Sequence, residues 1–367
     1  MIGFKIVKAL ASFIFIIFVS LNAQASVEKH EEEFNVSEMI MHHVKDAHEW
    51  HLWGDEHEGK SIYLPVILSD NGFKIFSSYN FYHGKEEKVK DSKGNSYHYY
   101  KGLGPADGYA LFHEKVYKLN ENGQLSFKDD HPENTKPLDL SITKNVLSLF
   151  IGALLIMILM LSMARFYKKN GPVAPKGIAK FLEPFVILIR DDIAKENIDH
   201  HKYHKYVPYL LTIFFFVWIN NLLGLIPIFP GGANLTGNIT VTFFLALCTL
   251  LVTLLSSNKN YWKHIFATPG VPIALMPIMI PIEIVGIFTK PFALMIRLFA
   301  NMTAGHIIIL ALISIIFINK SAAWGALSVP MALFISCLEM LVAVLQAYLF
   351  ALLSALFIGA AVEEAHH

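Results

Sequence analysis

Five apolar runs occupy most of the chain beyond residue 140, at about 143–164, 207–229, 238–256, 271–318 and 326–362. Roughly 20 apolar residues in a helix are enough to cross a hydrocarbon core about 30 Å thick. The sequence therefore predicts an all-α polytopic membrane protein with about five membrane-embedded helices. Apolar residues make up 54% of the 367 residues and charged ones 16%, too few charges for an ordinary soluble protein. A formal net charge of +0 gives no electrostatic footprint for nucleic acid. Cys248 and Cys337 both lie in apolar runs, where they read as small packed thiols and staple no exported domain.

The N-terminus reads as a signal peptide, residues 1–25. Lys5 and Lys8 supply its positive start, "ALASFIFIIFVSL" its apolar core, and Ala23 to Ala25 a small-residue cleavage site. The segment beyond it is then extracytoplasmic. Residues 26–140 are polar and read as a small α+β domain rich in histidine. In "VSEMIMHHVKDAHEWHLW" the spacing of Val36, Met39, Ile40 and Val44 predicts a helix. "SIYLPVILSDNGFKIF" predicts two strands split by an Asp-Asn-Gly turn, and "GYALFHEKVYKLN" further short strands. His42, His43, His48 and His51 lie among Asp46 and Glu49. On a helix His48 and His51 would sit one turn apart as weak candidate metal ligands. No HExxH or cysteine spacing accompanies them.

Basic residues orient the 141–367 part. Arg165, Lys168, Lys169, Lys176 and Lys180 follow the first run, "PGGANLTG" after the second has none, and Lys259 and Lys263 follow the third. The positive-inside rule therefore starts the first crossing outside, in agreement with the signal peptide. It places the C-terminus in the cytoplasm. Between the first two runs, "KFLEPFVILIRDDIAKENI" carries Phe181, Phe185, Ile189 and Ile193 at helical spacing among charges. It predicts a helix on the cytoplasmic surface. The last two runs are too long for upright spans, so they are long and tilted or divide into more crossings. The short break "NKSAAWG" favours two antiparallel helices.

Few polar residues interrupt those last runs: Glu283, Lys290, Arg297, Asn301 and His306 before the break, Glu339 and Gln346 after it. An ionisable group inside a membrane is a functional-site hypothesis by default. A hairpin pivoting near residue 322 brings Arg297 level with Gln346 and His306 level with Glu339. At about 100° per residue Arg297 and Asn301 share a face and His306 points elsewhere. Arginine keeps its proton, so it acts as a fixed charge. Histidine and glutamate can pass protons.

On these residues the sequence resembles subunit a of the F-type ATP synthase. "PFALMIRLFANMTAGH" is similar to that family's central motif and "LQAYLFALLSALFIGAAVEE" to its last helix. "NNLLGLIP" and "TGNITVT" fit the preceding pair, and "AKFLEPFVILIRDDIAKENI" the surface helix. The resemblance covers about 141–367. It implies that Arg297 is the stator arginine facing the carboxylates of the c-ring and that Gln346 is its neighbour. It also implies that Asn221 and Asn238 line the outer half-channel with His306 and Glu339. Some members carry Glu at the first of those two positions and His at the second; here the order is reversed. The implied partners are the c-ring proteolipid, the b subunit of the peripheral stalk, the other synthase subunits, membrane lipid and protons, in a bacterial inner membrane. No cofactor is implied, and no P-loop GxxxxGK[ST] is present. Two alternatives stay open: a Na⁺-coupled version of the same subunit, and a secondary transporter with a periplasmic metal-binding domain. The resemblance assigns no role to 26–140.

Overall fold

The computed structural model describes residues 40, 44–53, 60–70, 72–90, 96–128, 131–226, 229–267 and 272–363. The expected signal peptide, His42 and His43 lie outside the described residues. Residues 307–336 belong to one compact unit, and 44–306 with 337–367 form another. The second unit holds every side chain of the candidate site.

Its first part is built of short antiparallel strands: β1 (Glu49–Trp53), β2 (Lys60–Tyr63), β3 (Pro65–Ser69), β4 (Phe73–Ser77), β5 (Lys85–Lys90), β6 (Ser96–Lys101), β7 (Tyr109–Phe112), β8 (Lys115–Lys118), β9 (Phe127–Lys128), β10 (His131–Pro132) and β11 (Leu138–Asp139). A one-turn helix, α1 (Tyr79–Tyr82), follows β4. The sheets are β1-β2, β9-β10, β11-β3-β4 and β5-β6-β7-β8. Strand β7 is buried on both faces: Tyr109 and Leu111 join Val66, Leu68, Phe76 and Phe81, whereas Ala110 and Phe112 join Tyr99, Tyr117 and Leu125. β3 and β4 pair antiparallel as read from the sequence, with Gly72 before β4 at a φ of 136° that suits glycine alone; Asn71 lies outside the described residues.

Of the residues whose spacing predicted a helix, Ile40 and Val44 are helical and Val36 and Met39 lie outside the described residues, but the helix does not run on through residue 53. The last five residues of that stretch form β1, with Trp50 opposite Ile62 and His51 opposite Ser61. Trp50 faces the core and His51 the solvent, and that period-2 alternation outweighs the helical spacing farther upstream. His48 and His51 therefore do not share a helical turn. His48 is buried beside Asp139, while His51 Nδ1 is 3.2 Å from Ser61 Oγ. Among the described residues no group of three metal-ligating side chains forms.

The membrane part consists of α2 (Lys144–Asn170), α3 (Ile178–Ile187), a π-helical stretch (Leu188–Lys195), α4 (Tyr203–Leu225), α5 (Ile239–Ser256), α6 (Lys259–Phe266), α7 (Met276–Ile318) and α8 (Gly325–Val362). Five of these helices are long and apolar enough to cross a membrane. α7 and α8 run unbroken for 43 and 38 residues despite Pro281, Pro291 and Pro330. A helix of that length spans about 60 Å, twice an average hydrocarbon core.

The segment 178–195 is amphipathic as expected, with one displaced residue. Ile189 and Ile193 are fully buried against Leu210 and Phe214, but Phe181 is 61% exposed and Leu182 is buried instead. The π stretch closes i to i+5 bonds, which shifts the phase of the apolar stripe relative to a uniform α-helix. Phe185 completes the joint, its ring 4.4 Å from that of Trp218 on α4.

Candidate functional site

On α7 the sequence sorts residues sharply between two faces. Leu294, Leu298, Met302 and Gly305 point into the bundle, while Phe292, Ala293, Ile296, Arg297, Ala300, Asn301 and Ala304 point out of it. Arg297 and Asn301 thus share the exposed face. Arg297 has no hydrogen bond or ion pair among the described residues, and three of its six neighbours on that face are alanine. Small residues let another helix approach closely, and an unpaired charge among apolar side chains calls for an opposite charge. Gln346 is buried on α8.

The inward side of α7 carries a second polar group. His306 places Nδ1 3.1 Å from the carbonyl oxygen of Met302 and Nε2 3.3 Å from that of Gly224 on α4. Neutral imidazole donates from one nitrogen only, so the two carbonyls give a proton a resting place on either side of the ring. Gly305, the preceding residue, lies against the Glu339 carboxyl so closely that any Cβ there would collide with Oε1. The midpoint of 305 and 339 is 322. Both Glu339 oxygens are buried without a hydrogen-bond partner among the described residues.

The loop from α4 to α5 closes this space. Asn221 is fully buried and its Oδ1 accepts a hydrogen bond from Thr236 Oγ1 at 2.6 Å. Asn238 caps α5 by accepting from the Thr240 amide at 2.9 Å. Asn234 accepts from the Gly237 amide, and Thr303 on α7 donates to the Gly237 carbonyl at 3.4 Å. Asn220 Oδ1, Asn221 Nδ2 and Asn234 Nδ2 are buried and unpaired among the described residues, like the Glu339 oxygens. Native interiors rarely leave such atoms orphaned.

The sequence alone does not single out Asn220, Asn234, Thr236, Gly224 or Gly305. "NNLLGLIP" and "GGANLTGN" contain four of them, and polar residues concentrated in an otherwise apolar stretch are the available signal. Glu283 lies elsewhere: it is 23 positions before His306 on α7, about 35 Å along the helix. There it faces Tyr261 of α6 electrostatically, near Lys290, whose ammonium is 5.9 Å from the Phe357 ring centre. Two polar regions therefore lie toward opposite ends of α7, and Arg297 sits between them in sequence.

Residues 146–359 match the family model described as ATP synthase A chain. The chain belongs to that family. Residues 39–140 match a separate model, described as a domain of unknown function (DUF8433). ATP synthase subunit a of Chloroherpeton thalassium is 47% identical over 235 residues, 62% of this chain and 69% of the relative. ATP synthase subunit a 2 of Chlorobaculum tepidum is 51% identical over 230 residues, 61% and 64% of the two chains. Subunit a of Myxococcus xanthus is 45% identical over 236 residues, 63% and 76%. As an ATP synthase A chain with five membrane-length helices, this is a multi-pass membrane subunit of a larger complex.

Proposed function

We propose that this A chain is the proton-translocating stator of an F-type ATP synthase, working against a c-ring and tied to the peripheral stalk through the b subunit. It sits in a bacterial inner membrane with 26–140 outside and the C-terminus inside. Arg297 is the electrostatic gate. The observation that carries this reading is the unpaired guanidinium on an alanine-rich outward face, where a rotor helix bearing a carboxyl can approach. A rotor carboxyl arrives from lipid protonated and neutral. Beside a fixed positive charge in low dielectric its ionised form is favoured, so its proton leaves. The same charge repels protons that would otherwise run straight between the two polar regions.

Asn221, Asn238, His306 and Glu339 line the outer half-channel, with Asn301 and Gln346 flanking the gate. The region of Glu283 and Lys290 belongs to the inner one. Because the two are offset along α7, a proton crosses only by riding the rotor. His306, held between two carbonyls, favours H⁺ over Na⁺ as the coupling ion. The chain conducts ions and leaves nucleotide chemistry to other subunits. The test is ATP-driven pumping in vesicles carrying Arg297→Ala. Pumping and synthesis should vanish with the complex still assembled, and Arg297→Lys should rescue poorly because a lysine ammonium can lose its proton. Normal pumping by Arg297→Ala overturns the reading, and flux that requires Na⁺ replaces the proton with sodium.

A further inference from the structure

The 44–140 domain has a polar cluster of its own around a buried histidine, and it abuts the first turn of α2. His48 is 2% exposed. Its Nε2 lies 3.2 Å from Asp139 Oδ2, its amide donates to Glu114 Oε2 at 3.4 Å, and its Nδ1 is buried with no partner among the described residues. The Tyr82 hydroxyl donates to Glu114 Oε2 at 2.7 Å. Asp46 accepts from the Thr143 hydroxyl at 2.9 Å and the Asn145 amide at 3.0 Å, and the Lys144 amide donates to the Ala47 carbonyl. Asp46, Glu49 and Glu114 all act electrostatically on Lys144, and Lys144 acts in turn on His306.

The two aspartates are driven apart. Burial pushes the Asp46 carboxyl up, outweighing its hydrogen bonds from Asn145 and Thr143. At Asp139 burial also pushes up, but hydrogen bonds from His48 and Ser141 together prevail and hold the carboxyl below its ordinary value. Carboxyls tuned in opposite directions within one cluster are the arrangement that proton transfer uses. Glu114 is held there at a conformational cost. His113 and Glu114 form the two-residue turn between β7 and β8 with φ of 48° and 63°, a geometry that asparagine and glycine adopt more readily.

From this cluster a polar stripe leads inward. Asn145, Ser148 and Gly152 are buried on one face of α2, and a Cβ at Gly152 would strike the Asn220 side chain. Asn220 is the neighbour of Asn221 in the site. Trp50 of β1 packs edge-on against Phe229 in the α4–α5 loop at 5.2 Å, the loop that carries Asn234 and Thr236. The domain is seated on the wall of the site.

We propose that the 44–140 domain is the outermost section of the outer half-channel, in which Tyr82, Glu114, His48 and Asp139, with Asp46 and Lys144 at the inner edge, collect protons and pass them along Asn145 and Ser148 toward His306. This rests on the proton-stator reading of the membrane part. Each proton taken up at the outer end is matched by one released inward, so the cluster gains no net charge over a cycle.

The test is passive proton flux through vesicles carrying the membrane sector stripped of its soluble ATPase subunits. Wild type is compared with Glu114→Gln and His48→Asn, and native gels select assembled complexes. A positioned proton-transfer group typically contributes about 10²–10⁴-fold, so flux should fall at least about tenfold. Concentrated imidazole buffer on the domain side should restore it by delivering protons past the lesion. Unchanged flux in the assembled variants overturns the inference, and so does a loss that imidazole leaves in place, which would mark the cluster as structural. Should those variants fail to assemble, Tyr82→Phe, which removes a single oxygen, must itself slow flux, and wild-type flux there overturns the proposal. A wild-type sector that conducts no protons instead defeats the stator reading itself.

Discussion

Gly305→Ala separates the geometry of the site from the stability of the fold. The added methyl falls on Glu339 Oε1, with its carbon 2.5 Å from Cδ and 3.1 Å from Cγ. The three nearest atoms it meets all belong to one side chain, and no hydrogen bond among the described residues anchors that carboxyl. The helix backbone can therefore stay while Glu339 swings away. In an exposed helix the same change would stabilise by about 1 kcal/mol through propensity alone, whereas overpacking costs about 1–3 kcal/mol. The balance is a net cost of about 0–2 kcal/mol in folding, so the complex should still assemble. The displacement of Glu339 has no such offset: about 1–3 kcal/mol of it expressed in the proton path is a loss of about 5- to 150-fold in rate. The assay is proton flux in vesicles, with assembly quantified in parallel. A double-mutant cycle with Glu339→Asp, one methylene shorter, should show that Gly305→Ala costs far less in that background. Wild-type flux in assembled Gly305→Ala complexes refutes the reasoning, as does an equal loss with and without the shortened acid.

Three further outcomes are expected. His306→Glu and Glu339→His should each slow flux in the same assay, and the double exchange should recover much of the loss; a double variant as slow as both losses combined would show that the pair is uncoupled. The lowered Asp139 carboxyl contributes stability that is present above the ordinary carboxylate range near pH 4 and is lost as pH falls through its lower folded value, so hydrogen exchange of β11 in the intact chain should rise on that acid limb, and Asp139→Asn should flatten the dependence. Gly359→Ala drives a methyl into the backbone carbonyl of Asn197, whose carbon would lie 3.0 Å away; because backbone must move, it should lower stability by about 1–3 kcal/mol in thermal unfolding of the lipid-reconstituted chain.

The long helices were legible because lipid imposes one periodicity and one minimum length on them. The expected runs at 143–164, 207–229 and 238–256 differ from α2, α4 and α5 by only a few residues at most ends. The surface segment was legible as amphipathic but not in phase, since nothing in "FVILIRDD" announces a π-helical turn. The residues 36–53 misled because apolar spacing at Val36, Met39 and Ile40 suggested one helix, while Trp50 and His51 alternate across a sheet whose partner strand lies elsewhere in sequence. Within the site, ionisable groups in apolar helices stood out by composition. Gly305, Asn234 and Thr236 did not, because their part depends on which loop and which carboxyl the fold sets against them.

The passage from sheet to membrane helix contains no slack. Leu140 and Ile142 donate their amides to Ile67 and Pro65 of β3, the Lys144 amide is bound to Ala47, and α2 begins at that residue. A chain held by hydrogen bonds at alternate residues up to its first helical turn cannot swivel. Any tilt of α2 during turnover has to reappear as a rotation of the β11-β3-β4 sheet, so the domain serves as a pointer fixed to a shaft. A label on the exposed β4 side chain at Phe73 would read, from the sheet, how far that shaft leans.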